Sequence, residues 1–232
     1  MPDAASETKA AIAPIGLVLG RKGMMTQVYD EAGRIVPATV IEVGLDCHVV
    51  RFRTKDIDGY AALQLGFGRA NEKRLRKPIA GHYKRSGVPP ARLLMEVRIT
   101  EKESKACSEL KPGHRLTVGS FSPGDLVNVA GKTRGRGFAG GVERWNWSSG
   151  PRTHGSMSHR RIGSVGAGTS PGRVLKGRHL PGHYGNEQVT VKNLHVVRVE
   201  PEAGRLLISG AVPGTTGGVL LIRKVLNRRS EG

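Results

Sequence analysis

The sequence predicts a mainly β protein, a barrel or sandwich of short strands interrupted by one long, irregular, basic arm. Two observations carry that expectation. Short apolar-rich runs separated by Gly, Pro, Asp and Asn turns recur along residues 15–130 and again along 187–224, the pattern of an all-β domain. Between them, Gly131 to Asn186 has no sustained period of two or of 3.6 residues, and it carries ten Lys and Arg against one acid, Glu143.

Taken in order, Met1 to about Pro14 reads as a small disordered tail. Ile15-Gly-Leu-Val-Leu19 starts a strand that ends in a tight basic turn, Arg21-Lys22-Gly23, and Met25–Tyr29 continues as a strand. Asp30-Glu-Ala-Gly33 is a hairpin turn with Ile35–Val43 as the returning partner. Cys47–Arg53 alternates as a further strand, and Asp56-Ile-Asp-Gly59 turns the chain into Tyr60–Leu65. Arg69 to Arg98 is basic and irregular, broken by Pro89-Pro90, with a short helix near Ile79–Arg85. Glu101–Gly113 is polar loop. Ser122-Pro-Gly-Asp125 turns into the strand Leu126–Ala130. After Asn186 the strand pattern resumes at Gln188–Val191 and Leu194–Val199. A turn at Pro201-Glu-Ala-Gly204 follows, then Arg205–Ser209, a loop at Val212–Gly218 and Val219–Ile222. The domain reading is therefore 1–14 tail, 15–130 with 187–224 β domain (with a partly helical insert around 69–118), 131–186 arm, and 225–232 C-terminal tail.

Charge narrows the function. Lys and Arg number 37 against 19 Asp and Glu, a net of +18. That excess repels itself in a compact state and points to a polyanionic partner. An anionic membrane would need an amphipathic helix or a long apolar span, and the sequence offers neither. The start lacks the basic n-region of a signal peptide, since Asp3 and Glu7 occupy it. Cys47 and Cys107 form no CxxC pair, which fits a reducing compartment.

Motifs that resemble catalysis fail on context. Gly131-Lys132-Thr133 follows a strand as a phosphate-binding loop does, but the Gly that such a loop needs is Leu126 here. Gly135-Arg-Gly137-Phe-Ala-Gly140 matches GxGxxG, yet no amphipathic helix and no later acid follow it. His154 with His159, and His179 with His183, invite a metal reading. Pro181-Gly182 denies the second pair a shared helical face, and no Cys or carboxylate accompanies either pair. The sequence reading therefore contains no enzyme, cofactor, metal or small-molecule substrate.

Lys132, Arg134, Arg136, Arg144, Arg152, Arg160, Arg161, Arg173, Lys176 and Arg178 are separated by Gly, Ser and Thr. Gly lets a main chain approach phosphates, and Arg grips a phosphate with a planar fork and stacks on bases. Trp145 and Trp147 supply rigid faces for stacking or anchoring, and His154 and His159 add hydrogen-bonding groups. Arg21 and Lys22 extend the RNA-binding set to the first strand. A solvated charged surface would instead mix Lys with Glu on helices.

These residues carry a family resemblance. Phe121, Asn128, Gly131, Thr133, Gly135, Arg136, Gly137, Gly140 and Arg144 match the spacing of the ribosomal protein L-three family, in its bacterial form. Ile15 to Thr26 resembles the family's first hairpin. Gly163-Ser-Val-Gly166, Pro171-Gly-Arg-Val174 and Lys176-Gly177 resemble its arm, and Gly185–Val191 with Gly210–Gly214 its return to the barrel. The resemblance covers about Ile15 to Lys224. It implies a six-stranded barrel of the translation-protein type and an arm penetrating large-subunit ribosomal RNA toward the peptidyl transferase centre. It further implies a role in early subunit assembly, ribosomal proteins L-fourteen and L-nineteen as neighbours, and a cytoplasmic location in the ribosome. On this mapping Gly163, Ser164, Gly166, Ala167, Gly168, Thr169 and Pro171 form the arm tip, and Thr169 stands where many bacterial members carry a methylated Gln. The competing class is a free RNA-binding chaperone or translation-factor-like module.

Overall fold

The computed structural model describes residues 16–30, 32–43, 47–100, 103 and 110–225. The tail before Ile15, nearly all of 225–232 and most of Glu101–Gly113 lie outside the described residues. The chain divides into two compact units. One is drawn from both sides of the segment Lys132–Gln188, and the other is that segment.

The first unit is built on β1 (Leu17–Tyr29), β2 (Ile35–Glu42), β6 (Leu126–Lys132), β9 (Gln188–Glu200), β10 (Arg205–Ser209) and β11 (Val219–Lys224). These strands close on themselves in the order β1-β11-β6-β9-β10-β2, a six-stranded ring with no free edge. Alternation explains the ring. In β6, Val127, Val129 and Gly131 are buried while Asn128 and Ala130 are less so, and in β11 Leu220 and Ile222 point the same way. The register Leu220↔Gly131 and Ile222↔Val129 aligns the two apolar sets. A one-residue slip would turn both sets outward. Leu19, Ile41, Leu206 and Ile208 complete the interior.

Between β2 and β6 lies a separate three-stranded sheet, β3 (Cys47–Arg53), β4 (Ala62–Arg69) and β5 (Ala91–Arg98), in the order β3-β4-β5. Val49, Leu63, Leu65 and Val97 from this sheet join the same apolar cluster as the ring. One-turn helix α1 (Lys55–Asp58) links β3 to β4 and ends on left-handed Gly59. Helix α2 (Lys77–Ser86) links β4 to β5. Its Tyr83 is buried with Val50 and Ala91 and donates a hydrogen bond to the Ala91 carbonyl, while His82 Nε2 lies 2.8 Å from Gln64 Oε1 on β4.

Four sequence expectations need correction. The Arg21-Lys22-Gly23 turn is absent, and β1 runs through it as one strand of 13 residues. The irregularity is absorbed as a register shift between Lys22 and Met25. Gly23 sits under β2, where a Cβ would lie 2.9 Å from the Val40 carbonyl oxygen. Likewise Gln188–Val191 and Leu194–Val199 form one strand, β9, which passes through Asn193 at φ 57°. Asp56, Ile57 and Asp58 lie in a helical turn capped by Gly59 rather than in a simple turn. Finally, Arg69–Arg98, read as irregular, contains a full strand, β5, besides its helix.

The second unit holds β7 (Gly137–Ala139) paired antiparallel with β8 (Gly182–Tyr184), and a five-residue helix α3 (Gly141–Trp145). From Trp147 to Pro181 it has neither helix nor strand. These elements are too short to imprint a period on the sequence.

Candidate nucleic-acid interface

The base of the second unit is held by polar and aromatic contacts. Thr133 N–H donates to the Glu187 carbonyl at 2.9 Å, and Arg136 N–H to that of Tyr184 at 2.9 Å. Gly141 lets the chain start α3 tightly against Trp147, because a Cβ there would fall inside the Trp147 ring. Trp145 stacks on His179 with centroids 4.0 Å apart and planes 1° from parallel, and its Nε1–H donates to the Leu180 carbonyl. Arg144 Nη1 donates to the same carbonyl, and its guanidinium lies 4.9 Å from the Trp145 ring. Arg136 lies over Tyr184 and pairs with Glu143 at 3.1 Å.

Farther along, Gly150 N–H donates to His159 O, His159 Nδ1 lies 2.9 Å from Pro151 O, and Arg178 donates to Ser164 O at 2.6 Å. A cavity of about 550 Å³ lies between Trp147, Arg161, Ile162, Arg178 and His179. Among residues 132–188 only Ala139 and Gly141 are buried. Every residue from Met157 to His179 is exposed, including the tip residues Gly163, Ser164, Gly166, Ala167, Gly168, Thr169 and Pro171.

The predicted RNA-binding residues thus divide. Arg136, Arg144, Trp145, Trp147, His159 and Arg178 hold the unit together. Lys132, Arg134, Arg152, His154, Arg160, Arg161, Arg173 and Lys176 are exposed, and among the described residues their side chains make no hydrogen bond or ion pair. Lys22 also has an internal task. Its Nζ donates to the carbonyls of Val212 and Gly214, both at 2.7 Å, and its backbone bonds to Gly217 and Gly218. It therefore ties down the loop before β11, whereas neighbouring Arg21 is exposed. Tyr184, the face under Arg136, escaped sequence reading, and His179, set aside there as a metal ligand, could not be matched to Trp145 because its partner lies far away along the chain.

Burial pushes the Cys47 thiol up to about 12, so it stays protonated and inert. No group of three His, Cys, Asp or Glu among the described residues could hold a metal ion. No helix of the described residues is long and apolar enough to cross a membrane.

Comparison with known proteins decides what the unit belongs to. The family model described as Ribosomal protein L3 matches residues 98–205. Large ribosomal subunit protein uL3 of Thermotoga petrophila is 47% identical over 207 residues, covering 89% of this chain and 96% of its own. The protein of that name from Pelotomaculum thermopropionicum is 47% identical over 216 residues, covering 93% and 99%. That from Gloeobacter violaceus is 49% identical over 206 residues, covering 88% and 93%.

The chain belongs to the ribosomal protein L3 family.

It is accordingly a structural constituent of the large ribosomal subunit and not an enzyme. As a ribosomal L3 protein it works inside a ribonucleoprotein, among ribosomal RNA and other subunit proteins.

Proposed function

We propose that residues 132–188 form an RNA-penetrating arm and that the six-stranded ring is a translation-protein-type barrel from which this arm is displayed to large-subunit ribosomal RNA. The carrying observation is that this segment buries only Ala139 and Gly141 while leaving eight predicted contact residues exposed and unpaired. A segment with so little core cannot offset the entropy of its own ordering. Phosphates and bases supply the missing contacts. The internal ties of Arg144, Trp145 and Arg178 favour an arm whose base is preshaped and whose exposed cations meet RNA. On this reading the tip Gly163–Pro171 reaches toward the peptidyl transferase centre and shapes RNA without supplying a chemical group. The protein acts early in subunit assembly, in the cytoplasm, with L-fourteen and L-nineteen as neighbours.

The test is the salt dependence of binding to a large-subunit RNA fragment. Replacing Arg134, Arg160, Arg161 and Arg173 by Ala removes four cations that hold nothing inside the protein. The slope of log affinity against log salt is expected to flatten by about 3, at roughly 0.7–0.9 per phosphate lost. An unchanged slope would move the RNA site elsewhere. Co-sedimentation with large subunits at moderate salt separates a subunit constituent from a free chaperone, which would dissociate.

A further inference from the structure

A second group of cations lies in the first unit. Residues 69–92 carry eight Lys and Arg against one acid, Glu72, about twice the charge density of Gly131–Asn186 with its ten against one over 56 residues. Lys73, Arg74, Arg76, Lys77, Lys84 and Arg85 are all exposed, and among the described residues their side chains make no hydrogen bond or ion pair. They lie on α2 and on the 3-10 turn Glu72–Arg74 before it.

Their positions argue against a merely solvated face. A helix favours cations at its C-terminal end and disfavours them at its N-terminal end. Lys84 and Arg85 in the last turn of α2 satisfy that rule. Arg76 and Lys77, the N-cap and first residue of α2, violate it, and the first turn contains no acid to compensate, while Lys73 and Arg74 stand in the 3-10 turn before it. The exposed centre of the helix is Gly81, a residue that weakens a helix relative to Ala. A Cβ there would meet nothing within 4 Å, so no contact inside the protein requires Gly. At 100° per residue Lys77, Gly81, Lys84 and Arg85 share one face, opposite the buried Tyr83. Tyr83 and His82 fix the helix to the sheet, so the ridge is rigid before any partner arrives.

We infer that α2 and the turn before it form a second RNA-docking surface, which seats on the phosphate backbone of an RNA helix. This rests on membership in a ribosomal family and is independent of the arm. The ridge presents cations around a bare glycine backbone, the arrangement for close approach to phosphates. It exposes no aromatic side chain, so it has no platform for stacking single-stranded bases. Recognition is therefore of duplex shape and charge, without sequence reading.

The experiment uses the full chain, an RNA duplex of arbitrary sequence and a single strand of equal length. The variant Lys73→Gln, Arg74→Gln, Arg76→Gln, Lys77→Gln is expected to keep or raise the melting temperature, since it removes Arg76 and Lys77 from the wrong end of α2 and two exposed side chains, Lys73 and Arg74, that make no hydrogen bond or ion pair among the described residues. It should flatten the salt slope for duplex by about 3 and affect the single strand less. Gly81→Leu is the second variant: it fits the open space, strengthens the helix and should weaken duplex binding at least several-fold. Combined with the Arg134, Arg160, Arg161, Arg173 substitutions, the losses should add. If only the arm substitutions change the slope, the ridge proposal fails and the arm stands. If only the ridge substitutions do, the arm reading fails instead. Unchanged RNA binding with impaired subunit incorporation would assign the ridge to an acidic protein and overturn the proposal.

Discussion

The ring and the segment 132–188 use the same alphabet to opposite ends. In the ring, alternate side chains of β6 and β11 are buried, and several acids of the first unit are tied to cations: Asp58 to Arg53 at 2.6 Å, Glu103 to Arg223 at 2.6 Å, Asp125 to Lys224 at 2.6 Å. In the segment, Phe138, Met157, Leu175 and Val174 stay exposed, and Arg136–Glu143 is its one ion pair among the described residues. The difference teaches where each region's order originates. The ring draws on apolar burial. The segment has glycine, stacked rings and a few hydrogen bonds to carbonyls, a scaffold that sets shape with little stability of its own.

The comparison is most exposed to failure in the core. Leu206→Ala should destabilise the protein by about 2 to 5 kcal/mol in urea unfolding, while Val174→Ala should change it by under about 0.5 kcal/mol. Comparable losses would mean that the segment shares the core. Next in size is Glu103, whose carboxyl is nearly buried. Burial alone would push it up, but hydrogen bonds from Arg223 and Thr100 outweigh burial and hold it below its ordinary value. A lowered folded pKa contributes stability that is present above the unfolded value, about 4.3, and is lost as pH falls through the folded one. Glu103→Gln should cost about 2 kcal/mol at neutral pH and soften the acid limb of the stability profile. Asp125 and Glu96, also lowered, keep part of that limb. An unaltered acid limb would remove Glu103 from the set. Replacing Arg134–Tyr184 by a short Gly/Ser bridge should preserve the β circular-dichroism spectrum and a cooperative melt within about 1 kcal/mol of wild type. Loss of cooperativity would erase the contrast between the regions. Smallest of all, Ala167→Arg at an exposed position should leave stability within about 0.5 kcal/mol, yet impair subunit assembly or alter the response to peptidyl-transferase drugs. Wild-type behaviour in both assays would refute a tip pressed against RNA.

Legibility followed periodicity. The strands β2, β3, β6, β10 and β11 were readable to within two residues because their alternation survives in sequence. The strand β5 was hidden: Ala91, Leu93, Met95 and Val97 alternate, but Leu94 fills an outward position and Pro89-Pro90 suggests a break. The turn at Arg21-Lys22-Gly23 was misread because a glycine beside two cations signals a turn, whereas here Gly23 admits a neighbouring strand and Lys22 reaches carbonyls of the loop before β11, the strand paired with β1. The second sheet was invisible, since no local pattern says which strands pair. In the candidate interface, charge and glycine content picked out a segment close to the compact unit Lys132–Gln188. They could not separate Arg134, which faces outward, from Arg144, which holds Leu180. That division depends on residues brought together only by folding.

The closure of the ring has a consequence for how the chain is made. The strand β11 pairs with β1 through Leu17↔Arg223 and with β6 through Leu220↔Gly131. Synthesis proceeds from the N-terminus, so one edge of β1 waits for a partner until residues near 224 have emerged from the exit tunnel. By then the whole of 132–188 has already been extruded, bare and cationic, ahead of the domain that carries it. An unpaired β edge invites foreign strands and loose cations invite foreign RNA, so the nascent chain passes through its most promiscuous moment just before it becomes most selective.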